Sequence, residues 1–126
     1  MTVTGSLGQA GGYSLIVHGG AGDVTGPRLD SQIEGCLRAA ERAKQILESG
    51  GSALDAVQAA VIELEDDARF NAATGGVLTC EGNLELDAAI MEGHELRAGA
   101  VRLPGPASIA SWIIDDWLER GGGPAS

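Results

Sequence analysis

Tyr13-Ser14-Leu15-Ile16-Val17-His18-Gly19-Gly20-Ala21-Gly22 is the stretch on which the fold turns. A short apolar run stops abruptly at consecutive glycines, the pattern of a buried strand feeding a loop whose backbone needs dihedrals that only glycine adopts freely. Upstream, residues 1–12 are polar and rich in Gly and Ser and read as a flexible leader, so ordered structure is expected to begin near Tyr13. Downstream, Gly22 to Asp30 reads as loop.

Helical periodicity follows. Ser31 with Glu34 three residues later has the form of a capping box, and Ile33, Leu37, Ala40, Ala43 and Leu47 recur at helical spacing until Gly50-Gly51. Ser52 with Asp55 repeats the start signal, and Leu54, Val57, Val61 and Leu64 form an apolar stripe that runs into Glu65-Asp66-Asp67. Two antiparallel helices joined by a glycine turn are predicted. Beyond Phe70 the pattern becomes that of strands: Gly76 to Cys80 and Leu84 to Ile90 flank Glu81-Gly82-Asn83, a short connection typical of hairpins. From Pro106 a third helix is expected, with Ile109, Ile113 and Trp117 on one face and Trp112 beside them, up to Gly121-Gly122-Gly123. The order strand, two helices, hairpin, helix has no internal repeat and predicts a single α+β or layered α/β unit, with too few strands to protect both sheet edges.

At 126 residues the chain suits one domain. Aromatic residues are only 3%, so the core must come from Val, Leu, Ile and closely packed small side chains. The net charge of −10 disfavours nucleic acid and anionic membrane as partners, since both would be repelled, and suits a cation better. No apolar run approaches the ~20 residues that span a bilayer, and the first residues lack a basic start and a long apolar stretch. A cytoplasmic location is therefore expected. Cys36 and Cys80, widely separated, form neither a disulfide framework nor a metal-binding spacing, and read as reduced structural cysteines.

Few residues suggest chemistry directly. The Gly19–Gly22 loop could cradle an anion if a helix began at once, but none does, and both the P-loop Lys-Ser/Thr and the G-x-G-x-x-G spacing are absent. His18, where strand meets loop, reads as a hydrogen-bonded structural histidine or as a site residue; His94, in a polar turn, reads as solvated. Glu63, Glu65, Asp66 and Asp67 crowd a helix C-terminus, where acids cost a few tenths to ~1 kcal/mol each unless something positive compensates. Two readings stand: a cation such as Na⁺ held by carbonyl oxygens of the following loop, or a solvated acidic face with Arg69 nearby. Glu85 and Asp87 alternate on a strand, the ordinary solvated face of a sheet rather than an acid/base pair. No G-x-S-x-G occurs. Thr2 could serve as a terminal nucleophile after loss of Met1, but its surroundings read as flexible.

Taken together, Ile16-Val17-His18-Gly19-Gly20-Ala21-Gly22, then Gly50-Gly51-Ser52-Ala53-Leu54-Asp55-Ala56-Val57, then Leu64-Glu65-Asp66 through Phe70-Asn71-Ala72, and Gly82-Asn83-Leu84-Glu85-Leu86-Asp87-Ala88-Ala89-Ile90-Met91-Glu92-Gly93 resemble the α-subunit motifs of plant-type L-asparaginases/isoaspartyl peptidases. The resemblance covers residues 13–101, closing on Ala98-Gly99-Ala100-Val101. It implies a partial αββα sandwich of the N-terminal nucleophile hydrolase type, lacking the strands of the β-subunit. In that family a precursor cuts itself to free a Thr, which attacks the side-chain amide of asparagine or an isoaspartyl bond and forms an acyl-enzyme that water hydrolyses. By resemblance, Gly19 and Gly20 line the nucleophile's loop and Asn71 helps hold its surroundings. The main-chain carbonyls of Leu64, Glu65, Asp67, Phe70, Ala72 and Thr74 correspond to a structural Na⁺ loop, with no organic cofactor. Two departures stand out. Ala73 occupies a position where the family has Gly, and residues 102–126 diverge from the family's continuation towards the catalytic Thr. The expected function is thus the α-subunit-like portion of such a hydrolase. Inactive alone, it would need a β-subunit-like partner carrying an N-terminal Thr, or self-association. A non-catalytic binding or regulatory module, with Trp112 and Trp117 on an interaction helix, and a degenerate truncated product are the alternatives.

Overall fold

The computed structural model describes residues 2–6 and 12–104. The chain is α+β, with two helices and two small antiparallel pairs of strands among the described residues. Strand β1 (Thr2–Ser6) pairs with β2 (Ser14–His18), Thr2 opposite His18 and Ser6 opposite Ser14. The expected leader therefore contains a strand. Its Gly and Ser content masked Thr2, Val3 and Thr4, a β-branched run suited to pairing. Strand β2 itself lies where the apolar run placed it, with Val17 buried and Ile16 turned outward.

Helix α1 (Pro27–Glu48) begins four residues before the expected cap. Pro27 supplies a helical φ at a position whose N–H has no intrahelical partner, and Gly26 offers its carbonyl to the N–H groups of Leu29 and Asp30. Ser31 is already inside the helix and donates its hydroxyl to the Arg28 carbonyl at 2.9 Å instead of capping. The C-terminus is a Schellman closure. Gly50, at φ +86°, lets its own N–H reach the Leu47 carbonyl and that of Gly51 reach Ile46 at 2.9 Å. Helix α2 (Ala53–Asp66) opens with the predicted capping box: the Asp55 N–H donates to Ser52 Oγ at 3.1 Å, and the Ser52 N–H to Asp55 Oδ2 at 3.0 Å.

The helices turn their smallest residues inward. Cys36, Ala39 and Ala43 of α1 meet Ala56 and Ala60 of α2 in one cluster with Val17 and Phe70. Leu37, Val57 and Val61, expected on the buried stripes, are 51%, 42% and 41% exposed. Small side chains let two helices and a strand approach closely, so they occupy the interior and the larger apolar residues lie at its margins.

After a 3₁₀ turn at Ala73–Gly75, the predicted hairpin shrinks to one bridge between Leu78 and Leu84 around Glu81-Gly82-Asn83. The turn is well formed, with the Thr79 N–H on the Asn83 carbonyl at 2.8 Å and Gly82 at φ +80°. The extended ladder lies further on, where β3 (Glu85–Glu92) pairs with β4 (Arg97–Pro104). The Glu92 carboxylate accepts the His94 and Glu95 N–H groups and pins that turn. Leu86 and Ile90 face inward, Ile90 beside Leu54 of α2 and Leu86 beside Ala73. Strand β4 carries the ordered chain past residue 101, where the divergent tail was expected to begin; the third helix from Pro106 lies outside the described residues. Among the described residues no helix is long and apolar enough to cross a membrane.

Candidate functional site

Two loops leave the same core cluster. One follows Val17 and carries His18, Gly19 and Gly20; the other carries Phe70 and Asn71 after α2. Gly20 sits at φ +110° with nothing where a Cβ would be, and its N–H donates to His18 Nδ1 at 3.0 Å. The imidazole thus accepts from the loop that its own strand feeds, which is the hydrogen-bonded role allowed for it by sequence. Gly19 is half-buried and Asn71 exposed.

The end of α2 and the loop that follows it, to Gly76, are more tightly defined. Phe70 is 4% exposed, and its ring lies on Gly35 of α1: a Cβ there would come within 2.5 Å of Phe70 Cε2. Gln32, also buried, donates Nε2 to the Arg69 carbonyl at 2.9 Å. Asp67 is gripped from two sides, by Arg38 Nη2 at 2.5 Å and by Arg69, whose Nε lies 2.7 Å from Oδ1 and whose Nη2 lies 2.5 Å from Oδ2. The Arg69 hydrogen bonds, aided by the charge of Arg38, hold the Asp67 carboxyl down at about 2, well below the usual carboxylate range. Part of the positive compensation required by the acidic helix end therefore comes from guanidinium groups. Glu65 is buried and Asp66 exposed.

Whether the loop suits a cation depends on its carbonyls. A Cβ on Gly75 would meet the Ala68 carbonyl oxygen at 2.8 Å and that of Phe70 closer still, so both oxygens turn towards one glycine cradle. The carbonyls of Asp67 and Ala72 accept the N–H groups of Phe70 and Gly75 at 3.0 Å, which leaves each a second lone pair. Among the described residues no cluster of three His, Cys, Asp or Glu side chains could hold a metal ion, so the donors on offer are neutral carbonyls. That set fits a hard monovalent cation better than a divalent one. Of the six carbonyls expected as ligands, Phe70 joins this convergence; Ala68, absent from that expectation, joins it too. Ala73 stands at φ +38° with its methyl buried, so the position where the resembled family has Gly does take a left-handed backbone.

Other sequence candidates are dispersed. Glu85 and Asp87 are exposed on β3, Glu85 pairing with Arg102 of β4, and His94 is exposed in the β3–β4 turn. The anchors Gln32, Gly35 and Arg38 were missed, since their only sequence signal is a shared helical face.

Residues 11–110 match the family described as asparaginase. The chain is 50% identical over 106 residues to an isoaspartyl peptidase/L-asparaginase of Homo sapiens, covering 80% of this chain and 34% of that protein. It is 49% identical over 106 residues to the protein of that name in Macaca fascicularis, with the same coverage. A plant-type L-asparaginase of Thermococcus kodakarensis is 46% identical over 107 residues, covering 81% of this chain and 35% of the relative. The chain spans about a third of the length of these relatives.

Proposed function

The chain belongs to the asparaginase family that its residues 11–110 match, and from that premise we propose that it is the α-subunit-like portion of an isoaspartyl peptidase/L-asparaginase. The observation that carries this reading is the shared core of Val17 and Phe70, from which the Gly19-Gly20 loop and the Asn71 loop both emerge. On this reading Gly19, Gly20 and Asn71 support a terminal Thr supplied by the remaining two thirds of the protein, on the same precursor or on a separate chain. The Thr hydroxyl, its proton taken by its own α-amine, adds to the amide or isoaspartyl carbonyl. Ammonia or the peptide amine leaves with that proton, and water cleaves the acyl-enzyme to free aspartate. The α+β unit forms part of an αββα sandwich, to which the helix pair contributes to one layer and β1–β2 and β3–β4 to the sheets. A structural Na⁺ is held by the main-chain carbonyls of Leu64, Glu65, Asp67, Phe70, Ala72 and Thr74, and the convergence at Gly75 supports that assignment.

The test is aspartate release from a β-aspartyl dipeptide and from asparagine, by the 126 residues alone and after addition of a β-like chain beginning with Thr. No release alone and release on mixing is the expected pair of results. Turnover by the pure chain would place the nucleophile within these residues and overturn the proposed division of labour.

A further inference from the structure

We infer that helix α1 is the positioning platform for the candidate cation loop, through Gln32, Gly35 and Arg38; this rests on the Na⁺ reading above. The three residues are spaced i, i+3 and i+6, so they share one helical face. That face meets three positions of the loop: Gln32 takes the Arg69 carbonyl, Gly35 receives the Phe70 ring, and Arg38 binds the Asp67 carboxylate. Gln32 holds the Arg69 carbonyl on α1, while the carbonyls on either side of it, those of Ala68 and Phe70, lie against the Gly75 cradle. The ring of Phe70, with no room beyond Gly35, fixes the rotation of its own peptide. These contacts lower the ordering free energy that a bound ion would have to supply.

None of these three residues is a proposed ligand, so each acts by positioning the loop. Loss of a group that orients ligands lowers metal affinity by about 10–100-fold. The experiment uses the chain in the assembly in which it is isolated, comparing wild type, Gln32→Leu and Arg38→Met. Two readouts are taken: the thermal midpoint in NaCl against choline chloride at equal ionic strength, and sodium affinity from ²³Na NMR line widths. Wild type should show a sodium-specific rise in midpoint. In both variants that rise should shrink, with sodium affinity weaker by about tenfold or more, beyond any fall in midpoint common to both salts. Arg38→Met keeps the aliphatic stem at a half-exposed site and tests the idea even where Gln32→Leu unfolds. A midpoint that falls equally in both salts with sodium affinity retained would overturn the positioning role while leaving the Na⁺ reading intact. A wild type without a sodium-specific effect would overturn both.

Discussion

Replacing Ala73 with glycine measures the strain in the loop after α2 directly. Ala73 is at φ +38° and 9% exposed. Glycine there relieves the clash of Cβ with the backbone, ~1–2 kcal/mol. It also loosens the unfolded chain, which costs ~0.5–1 kcal/mol, and deletes a buried methyl worth ~0.8 kcal/mol. The terms oppose one another, and Ala73→Gly should change stability by less than about 1 kcal/mol. Ala39 is the control: it lies within α1 with no exposure and has no positive φ to relieve. There the helix-propensity cost of ~1 kcal/mol and the lost methyl add, and Ala39→Gly should cost about 2 kcal/mol. Urea unfolding of both variants, analysed at a common m, gives the comparison. Equal losses at the two sites would refute the reasoning, because they would show that Ala73 stores no backbone strain.

Three further outcomes are expected. Ser52→Ala removes the hydroxyl that accepts the Asp55 N–H and should cost ~1 kcal/mol in chemical denaturation; no change would mean that the capping box contributes nothing. Cys80 is exposed while Cys36 is buried, with burial pushing its thiol pKa up, so a disulfide reagent should titrate one thiol quickly in the native chain and the second only on unfolding. Asp67, held at about 2 against an ordinary 3.8, contributes stability that is full above about pH 4 and lost as pH falls through 2. The shift corresponds to at most ~2.5 kcal/mol, reduced to ~1–2 kcal/mol because Arg38 is half exposed and solvent screens the pair. The stability gap between wild type and Asp67→Asn should therefore narrow between pH 5 and 2, and a gap independent of pH would contradict the ion-pair assignment.

What could be read in the sequence was what depends on near neighbours. The capping box of Ser52 and Asp55 and the stop at Gly50-Gly51 formed as spaced, because both partners of each hydrogen bond lie close together in sequence. The buried helix faces were read in part: Ala43, with Ala40, Leu47 and Leu64 beside it, packs as spaced, whereas Leu37, Val57 and Val61 lie outward because the close approach of α1, α2 and β2 admits Ala, Gly and Cys in their place. The ladder was misplaced because Val77 and Leu78 look like strand residues yet are 70% and 63% exposed, while Arg97-Ala98-Gly99-Ala100 gives little strand signal and gains its order from pairing with β3. The candidate site follows the same division. Gly19, Gly20 and Asn71 are visible as motif residues. The anchors of the candidate cation loop are not, since Gln32 and Arg38 reach partners 37 and 29 positions away and carry no local signature. Where a loop's chemistry lies in its backbone, sequence shows the loop and the fold decides where its carbonyls point. The side chains that make that decision sit on another element, and substitutions on α1 are the route to altering the loop without touching its own residues.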